Sequence, residues 1–275
     1  MGAVILEHLS TRVGKIDLLR GGPARAGGAE QPLVYLHSAT GEGPGLPMLD
    51  SLADHFDVIA PQFPGFGGSE GIESIDDMDD AVFHLLDLFD TLGLAAPIVT
   101  GLSLGAWMAA ELATRYPDRV GRLVLVNPVG LHIDGAPIKD IFGRSPGEMA
   151  EDMFADQGHP VAQMMHALDG FRSDPARVGE LTFEMIKPLV QTMAATARLG
   201  WDPYLHNPKL RRRLYRITCP TLVVRGAQDT LVPPEHARAY ADEITGARLV
   251  EVPDAAHLLV FERPDALVDL LCADG

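Results

Sequence analysis

Residues 101–105 read Gly-Leu-Ser-Leu-Gly, and their surroundings could make Ser103 a nucleophile. Upstream lies Ile98–Thr100, a short β-rich run, and downstream lies Ala106–Ala113, a helical run in which four of eight residues are alanine. A G-x-S-x-G segment between strand and helix holds its serine on a sharp, strained turn. The flanking positions must be small because strand and helix approach each other there, and Gly101 and Gly105 meet that demand. The helix start also turns backbone N–H groups and the positive end of its dipole toward charge developing beside the serine. A hydroxyl is a poor nucleophile until a base within hydrogen-bond reach takes its proton. Ten histidines could supply that base. The plainer alternative is a glycine-rich turn with a capping serine, and the strand–turn–helix setting argues against it.

Positioning such a serine needs a sheet. Short apolar runs predict strands at Leu33–Leu36, Val58–Ala60, Ile98–Thr100, Leu123–Val126, Thr221–Val224 and Arg248–Val252. Several are almost wholly apolar, as in strands covered by helices on both faces. Helical patterns alternate with them near Ile75–Leu92, Leu104–Tyr116, Glu235–Ile244 and Asp265–Leu271. Such alternation implies an α/β fold with a mostly parallel central sheet flanked by helices. Val4–Leu9 and Val13–Leu19 read as an antiparallel hairpin at the sheet edge, and the glycine-rich Gly21–Gly28 as a turn.

One segment breaks the rhythm. From Leu131 to Arg213 only helix-like pieces occur, separated by Pro and Gly. This predicts a helical cap at 131–213 inserted into a core formed by 1–130 and 214–275. The cap carries Met149, Met153, Met164, Met165, Met185 and Met193, six of the ten methionines. Each, taken alone, is expected to pack the cap onto the core. Together they could line an adaptable apolar pocket.

Bulk properties narrow the partners. A chain of 275 residues can bury a substantial core, and 47% hydrophobic content suits an ordinary globular protein. The formal charge of −16 argues against nucleic acid or an anionic membrane as partner. No apolar run reaches the roughly 20 residues that span a bilayer. Residues 1–20 lack the apolar core of a signal peptide, so a cytoplasmic location is expected. Cys219 and Cys272, the only cysteines, lie in or beside apolar segments and are expected to be buried free thiols. There is no Cys/His spacing for zinc, so no metal is expected.

With Ser103 in its strand–turn–helix context, the chain resembles the α/β-hydrolase family over almost its full length. The resemblance implies the chain order nucleophile, acid, histidine. The segment Arg225-Gly226-Ala227-Gln228-Asp229-Thr230-Leu231-Val232-Pro233 looks like the family's G-x-x-D-x-x-V-P stretch, which identifies Asp229. Val250–Val252 leads through Pro253, Asp254, Ala255 and Ala256 to His257, the implied base. Asp254 and Asp134 are rival acids. The family's oxyanion hole takes one N–H from the residue after the nucleophile, here Leu104. The second comes from the loop His37-Ser38-Ala39-Thr40-Gly41, by position from Ala39, with Thr40 as fallback. The family usually has His-Gly-x there, so Ser38 is a departure. His37, Ser38, Trp107 and Leu258 are candidate substrate-binding residues, although His37 is expected chiefly to brace the loop. Pro61–Ser69 resembles the family's P-G-x-G-x-S loop near the active-site mouth.

Within that family a serine nucleophile speaks against the dehalogenase and epoxide-hydrolase branches, which use aspartate at that turn. Simple carboxylesterases then compete with carbon–carbon hydrolases of the meta-cleavage-product type. The latter usually carry Asn before the nucleophile and Trp after the histidine, where this chain has Leu102 and Leu258. The resemblance therefore implies a serine hydrolase cleaving esters of small, largely apolar substrates through an acyl-enzyme, without a cofactor. Carbon–carbon hydrolysis and cofactor-free perhydrolysis or acyl transfer are the alternatives. A non-enzymatic receptor is the remaining one, opposed by the complete serine, acid and histidine set.

Overall fold

The apolar runs become strands, and most are buried along their whole length. The computed structural model describes residues 3–22, 32–173 and 182–273, with backbone alone at 171–173 and 184–186. In chain order the strands are β1 (Ile5–Thr11), β2 (Gly14–Gly21), β3 (Leu33–Leu36) and β4 (Val58–Pro61). They continue as β5 (Ile98–Leu102), β6 (Arg122–Val126), β7 (Thr221–Gly226) and β8 (Arg248–Val252). They form one sheet in the order β1-β2-β4-β3-β5-β6-β7-β8. β1 and β2 pair antiparallel, as the hairpin pattern predicts, and β2 joins β4 antiparallel. All later pairings are parallel. The Gly21–Gly28 turn lies outside the described residues from position 23 onward.

Helices α1 (Pro47–Leu52), α2 (Met78–Leu92) and α3 (Leu104–Arg115) belong to the first half of the sheet. α2 begins three residues later than the apolar pattern suggests. Ile72–Ser74 forms a 3-10 turn, and Asp77 then caps the helix by accepting from the N–H groups of Asp79 and Asp80. Gly93, at φ 69°, ends it. Between β6 and β7 lie α4 (Pro146–Met153), α5 (Pro160–Ser173) and α6 (Phe183–Gly200), with no strand among the described residues. After β7 come α7 (Pro234–Glu243), α8 (Leu259–Glu262) and α9 (Pro264–Ala273). α1 packs on α8 and α9, and α2 on α3, which gives the sheet two separate helical layers.

The helical stretch between β6 and β7 leaves and rejoins the sheet at one clasp. Gly130 N–H donates to Leu205 O at 2.9 Å, and Asn207 N–H donates to Gly130 O at 3.0 Å. Gly130 has φ 104°, and a Cβ there would meet the Trp107 ring at 2.5 Å, so the clasp needs glycine. Among the described residues no helix is long and apolar enough to cross a membrane. Both cysteines are free, but the expected burial is corrected: Cys219 is half-buried and Cys272 is exposed. On α9 it is Leu271 that faces the core, and the next residue along a helix turns about 100° away toward solvent.

Candidate active site

Parallel strands end on the same edge, and their outgoing loops converge there. β5 runs into Ser103, β7 into Asp229, β8 into His257, and β3 into the His37–Gly41 loop. Ser103 stands at φ 55°, ψ −107°, a strained conformation for a residue with a side chain. Its N–H donates to Val126 O at 2.9 Å, and its C=O accepts from Trp107 N–H at 3.0 Å. The steric argument for its neighbours holds. A Cβ on Gly101 would lie 2.4 Å from the Gly105 carbonyl, and one on Gly105 would lie 2.2 Å from Leu36 O.

Asp229 and His257 are both buried, and His257 Nδ1 lies 2.8 Å from Asp229 Oδ2. The other carboxylate oxygen, Oδ1, accepts from the N–H groups of Leu231 (2.9 Å) and Val232 (3.0 Å). A carboxylate only accepts, so Nδ1 carries a proton, and in the neutral ring Nε2 is then the accepting nitrogen. The rival acids are elsewhere. Asp254 is exposed beside Arg263, and Asp134 is exposed beside His132. Ser103 and His257 line one cavity without a hydrogen bond between them.

The pattern of residues gave no hint of Asn127. It follows β6 at φ 42°, is buried, and donates from Nδ2 to Ala256 O (3.1 Å) and His257 O (2.7 Å). Its Oδ1 accepts from Gly226 N–H at 2.9 Å. Asn127 thus ties the His257 loop to the end of β7, although it lies 99 residues from Gly226 and 130 from His257 in the chain.

The cavity holds about 310 Å³. Ser38, Ala39, Thr40 and Glu42 line it with Ser103, Leu104 and His257, opposite Met149, Met153, Met164, Met165 and Met193. Five of the six methionines therefore line the cavity, while Met153 lies in the core and Met149 and Met165 pack against it, so the two expected roles coexist. The Met185 side chain lies outside the described residues. Ser38 and Leu258 line the cavity, whereas His37 and Trp107 are not among its lining residues.

His37 is spent on the loop. Its Nδ1 donates to Ser38 O at 2.7 Å, Nε2 accepts from Phe63 N–H at 3.0 Å, and its ring lies on Phe66. Burial lowers its pKa, which suits a neutral imidazole with one donating and one accepting nitrogen. Trp107 is core: it is buried and donates from Nε1 to Glu111 at 3.1 Å. The Thr40 N–H, the fallback oxyanion donor, is already occupied by Ser38 Oγ at 3.0 Å. The Ala39 N–H makes no hydrogen bond among the described residues, and Leu104, first in α3, has no intrahelical acceptor. No cluster of three metal-ligating side chains occurs among the described residues.

The family model described as the alpha/beta hydrolase fold matches residues 31–264. The chain is 28% identical over 265 residues to 2-hydroxymuconate semialdehyde hydrolase of Pseudomonas sp. (strain CF600), covering 89% of this chain and 86% of that one. It is 29% identical over 263 residues to the dihydrolipoyllysine-residue acetyltransferase component of an acetoin cleaving system in Cupriavidus necator, covering 93% of this chain and 66% of that one. Its fold is similar to that of 2-hydroxy-6-oxo-6-phenylhexa-2,4-dienoate hydrolase (BphD) from Rhodococcus sp. strain RHA1. That comparison has a TM-score of 0.75, 22% identity and 99% coverage of both chains.

Proposed function

This chain belongs to the alpha/beta hydrolase fold family, and on that premise we propose that it hydrolyses carboxylic esters of small, largely apolar substrates through an acyl-enzyme. The observation that carries the reading is the Asp229–His257 pair at 2.8 Å, whose histidine lines the same cavity as Ser103. His257 Nε2 takes the proton of Ser103 as its oxygen attacks the ester carbonyl. The Asp229 carboxylate holds the imidazole's tautomer and stabilises the imidazolium. The tetrahedral oxyanion is held by the N–H groups of Leu104 and Ala39. His257 then protonates the leaving alcohol, and a water that it deprotonates attacks the acyl carbon, releasing the acid and restoring Ser103.

Residues 131–213 act as a cap over a core of 1–130 and 214–275 in this reading. Its methionines supply an apolar wall that fits acyl groups without a charge. A second reading is hydrolysis of a carbon–carbon bond, favoured by the likeness to 2-hydroxymuconate semialdehyde hydrolase over 89% of the chain. Leu102 and Leu258, where that branch usually carries Asn and Trp, weigh toward esters. Perhydrolysis or acyl transfer would use the same acyl-enzyme with another second nucleophile.

The test is turnover of p-nitrophenyl esters of increasing acyl length, with organophosphonate labelling of the nucleophile. Ester turnover and labelling are expected in the wild type, with kcat lower by at least about 10⁴-fold in Ser103→Ala. A wild type that neither turns over esters nor takes the label sinks the reading. Faster cleavage of a ring-opened vinylogous diketone than of any ester would move the assignment to carbon–carbon hydrolysis.

A further inference from the structure

Glu42 is a buried carboxylate on the wall of the cavity, and the proposed reaction gives it no task. Its four partners are uncharged donors, and three of them belong to the loop that carries Ala39. Oε1 accepts from Ser38 N–H at 2.7 Å and from Tyr35 OH at 2.8 Å. Oε2 accepts from the hydroxyls of Ser38 (2.7 Å) and Thr40 (2.9 Å). Ser38 Oγ in turn accepts from Thr40 N–H at 3.0 Å. The backbone closes the turn with Gly41 N–H on Ser38 O at 3.1 Å. Gly41 has φ 67°, and a Cβ there would strike the Phe66 ring at 2.7 Å.

The N–H groups on either side of Ala39 are therefore consumed, one by Glu42 directly and one through Ser38. The Ala39 N–H alone is left over in the turn, and Ala39 lines the cavity. Burying a carboxylate is costly unless it is fully hydrogen-bonded. Four short bonds meet that cost and make Glu42 the centre on which the loop is built. Ser38 belongs to the same device: a glycine in its place would offer Glu42 no hydroxyl and Thr40 N–H no acceptor.

Resting on the ester-hydrolase reading, we infer that Glu42 is a positioning residue. Through Ser38 and Thr40 it fixes the loop so that the Ala39 N–H serves as the second oxyanion donor. It touches no reacting atom. Losing its grip leaves substrate binding in the apolar cavity intact and weakens only the interaction made in the transition state.

Steady-state kinetics on a p-nitrophenyl ester and the rate of organophosphonate labelling test this in the full chain. Glu42→Ala should lower kcat about 10- to 100-fold with KM within about threefold, since loss of an oxyanion donor costs about 10²–10³ in kcat. Glu42→Gln keeps an acceptor for Ser38 N–H and Tyr35 OH and can donate to the two hydroxyls. It should recover at least half of that loss on a logarithmic scale, which a charge effect would not allow. Ser38→Ala should cost little more in the Glu42→Ala background than that background already has, because residues of one network are not additive. If Glu42→Ala does not fold, Ser38→Ala and Thr40→Val decide: each should lower kcat at unchanged KM. An active wild type whose Glu42→Ala kcat stays within threefold overturns the role of Glu42 and leaves the hydrolase reading standing. So does an active wild type with unchanged kcat in both hydroxyl variants. A wild type without turnover or label overturns both.

Discussion

The two walls of the cavity are built by different means. On the sheet side, Ser103, Asp229 and His257 sit where strands end, and backbone groups fix them. Ser103 is pinned by two main-chain hydrogen bonds and by glycine contacts too close for a Cβ. Asp229 is pinned by two N–H groups and His257 by Asn127 through its carbonyl. On the helical side the wall is methionine, ranging from the buried Met153 to the exposed Met164. Met is unbranched and rotates about three bonds, so it follows the shape of what it touches. The difference teaches a division of labour. In the proposed reaction, the geometry that the chemistry would need is over-determined, and the surface that a substrate would meet is left adaptable.

The sharpest way to break this division is to alter one atom on the fixed side. In Asp229→Asn the amide oxygen can still accept from Leu231 and Val232 N–H, so the loop and the melting temperature should hold. The amide NH₂ then faces His257 Nδ1, which must become an acceptor, and the proton moves to Nε2. His257 can no longer take the Ser103 proton. The expected loss is about 10⁴-fold in kcat. A loss below tenfold, measured on the same ester, would show that the pair does not hold the tautomer and that the sheet side is less determined than its geometry implies.

A smaller effect tests how the fixed side responds to acid. His84, on α2, is buried with its ring edge-on to Phe63, and no described residue bonds its Nδ1. Burial lowers its pKa from 6.5 to about 4, against a weaker opposing pull from Asp87. Above pH 6.5 the ring is neutral folded or unfolded. Between about 6.5 and 4 the unfolded chain takes a proton that the folded chain refuses, so stability falls as pH falls and levels off below 4. The full loss is about 3 kcal/mol, with about 2 kcal/mol of it reached by pH 5. Chemical denaturation of wild type and His84→Leu at pH 7 and pH 5 measures it. The buried, depressed His37 contributes with the same sign in both proteins. The variant should therefore lose less than the wild type between the two pH values; an equal loss would remove His84 from the account.

What could be read without coordinates follows the same divide. β3 matches its apolar run residue for residue, because a strand buried between helices has few ways to be written; β8, an edge strand buried only at Val252, keeps its expected bounds as well. Ser103 was legible because the turn's steric demand is local, five residues long. Asp229 and His257 came from the family resemblance, through its chain order and the G-x-x-D-x-x-V-P stretch, and the structure brings them within hydrogen-bond distance. Asn127 and Glu42 were invisible for opposite reasons. Asn127 acts on residues about 130 positions away, which no local pattern records. Glu42 acts within seven residues, but through a loop whose path is aperiodic and depends on Gly41 and Phe66. The methionines show a third limit: packing and pocket lining use the same side chain, and only the space in front of it separates them.

That limit sets the last and smallest prediction. Met149 and Met193 line the cavity and are half-buried, so neither carries much of the core. Truncation to Ala removes volume from the wall without touching Ser103, Asp229 or His257. Longer acyl esters should then gain on shorter ones, because each methylene accommodated in an apolar pocket is worth about 1 kcal/mol or somewhat more. The ratio of kcat/KM for a longer over a shorter p-nitrophenyl ester should rise about three- to tenfold, with kcat for the short ester nearly unchanged. Unfolding free energy should move by no more than about 1 kcal/mol, less than the 2–5 kcal/mol of a fully buried Met→Ala. If instead kcat collapses for every chain length alike, the helical wall is part of the fixed geometry, and the two sides of the cavity are not built on different rules.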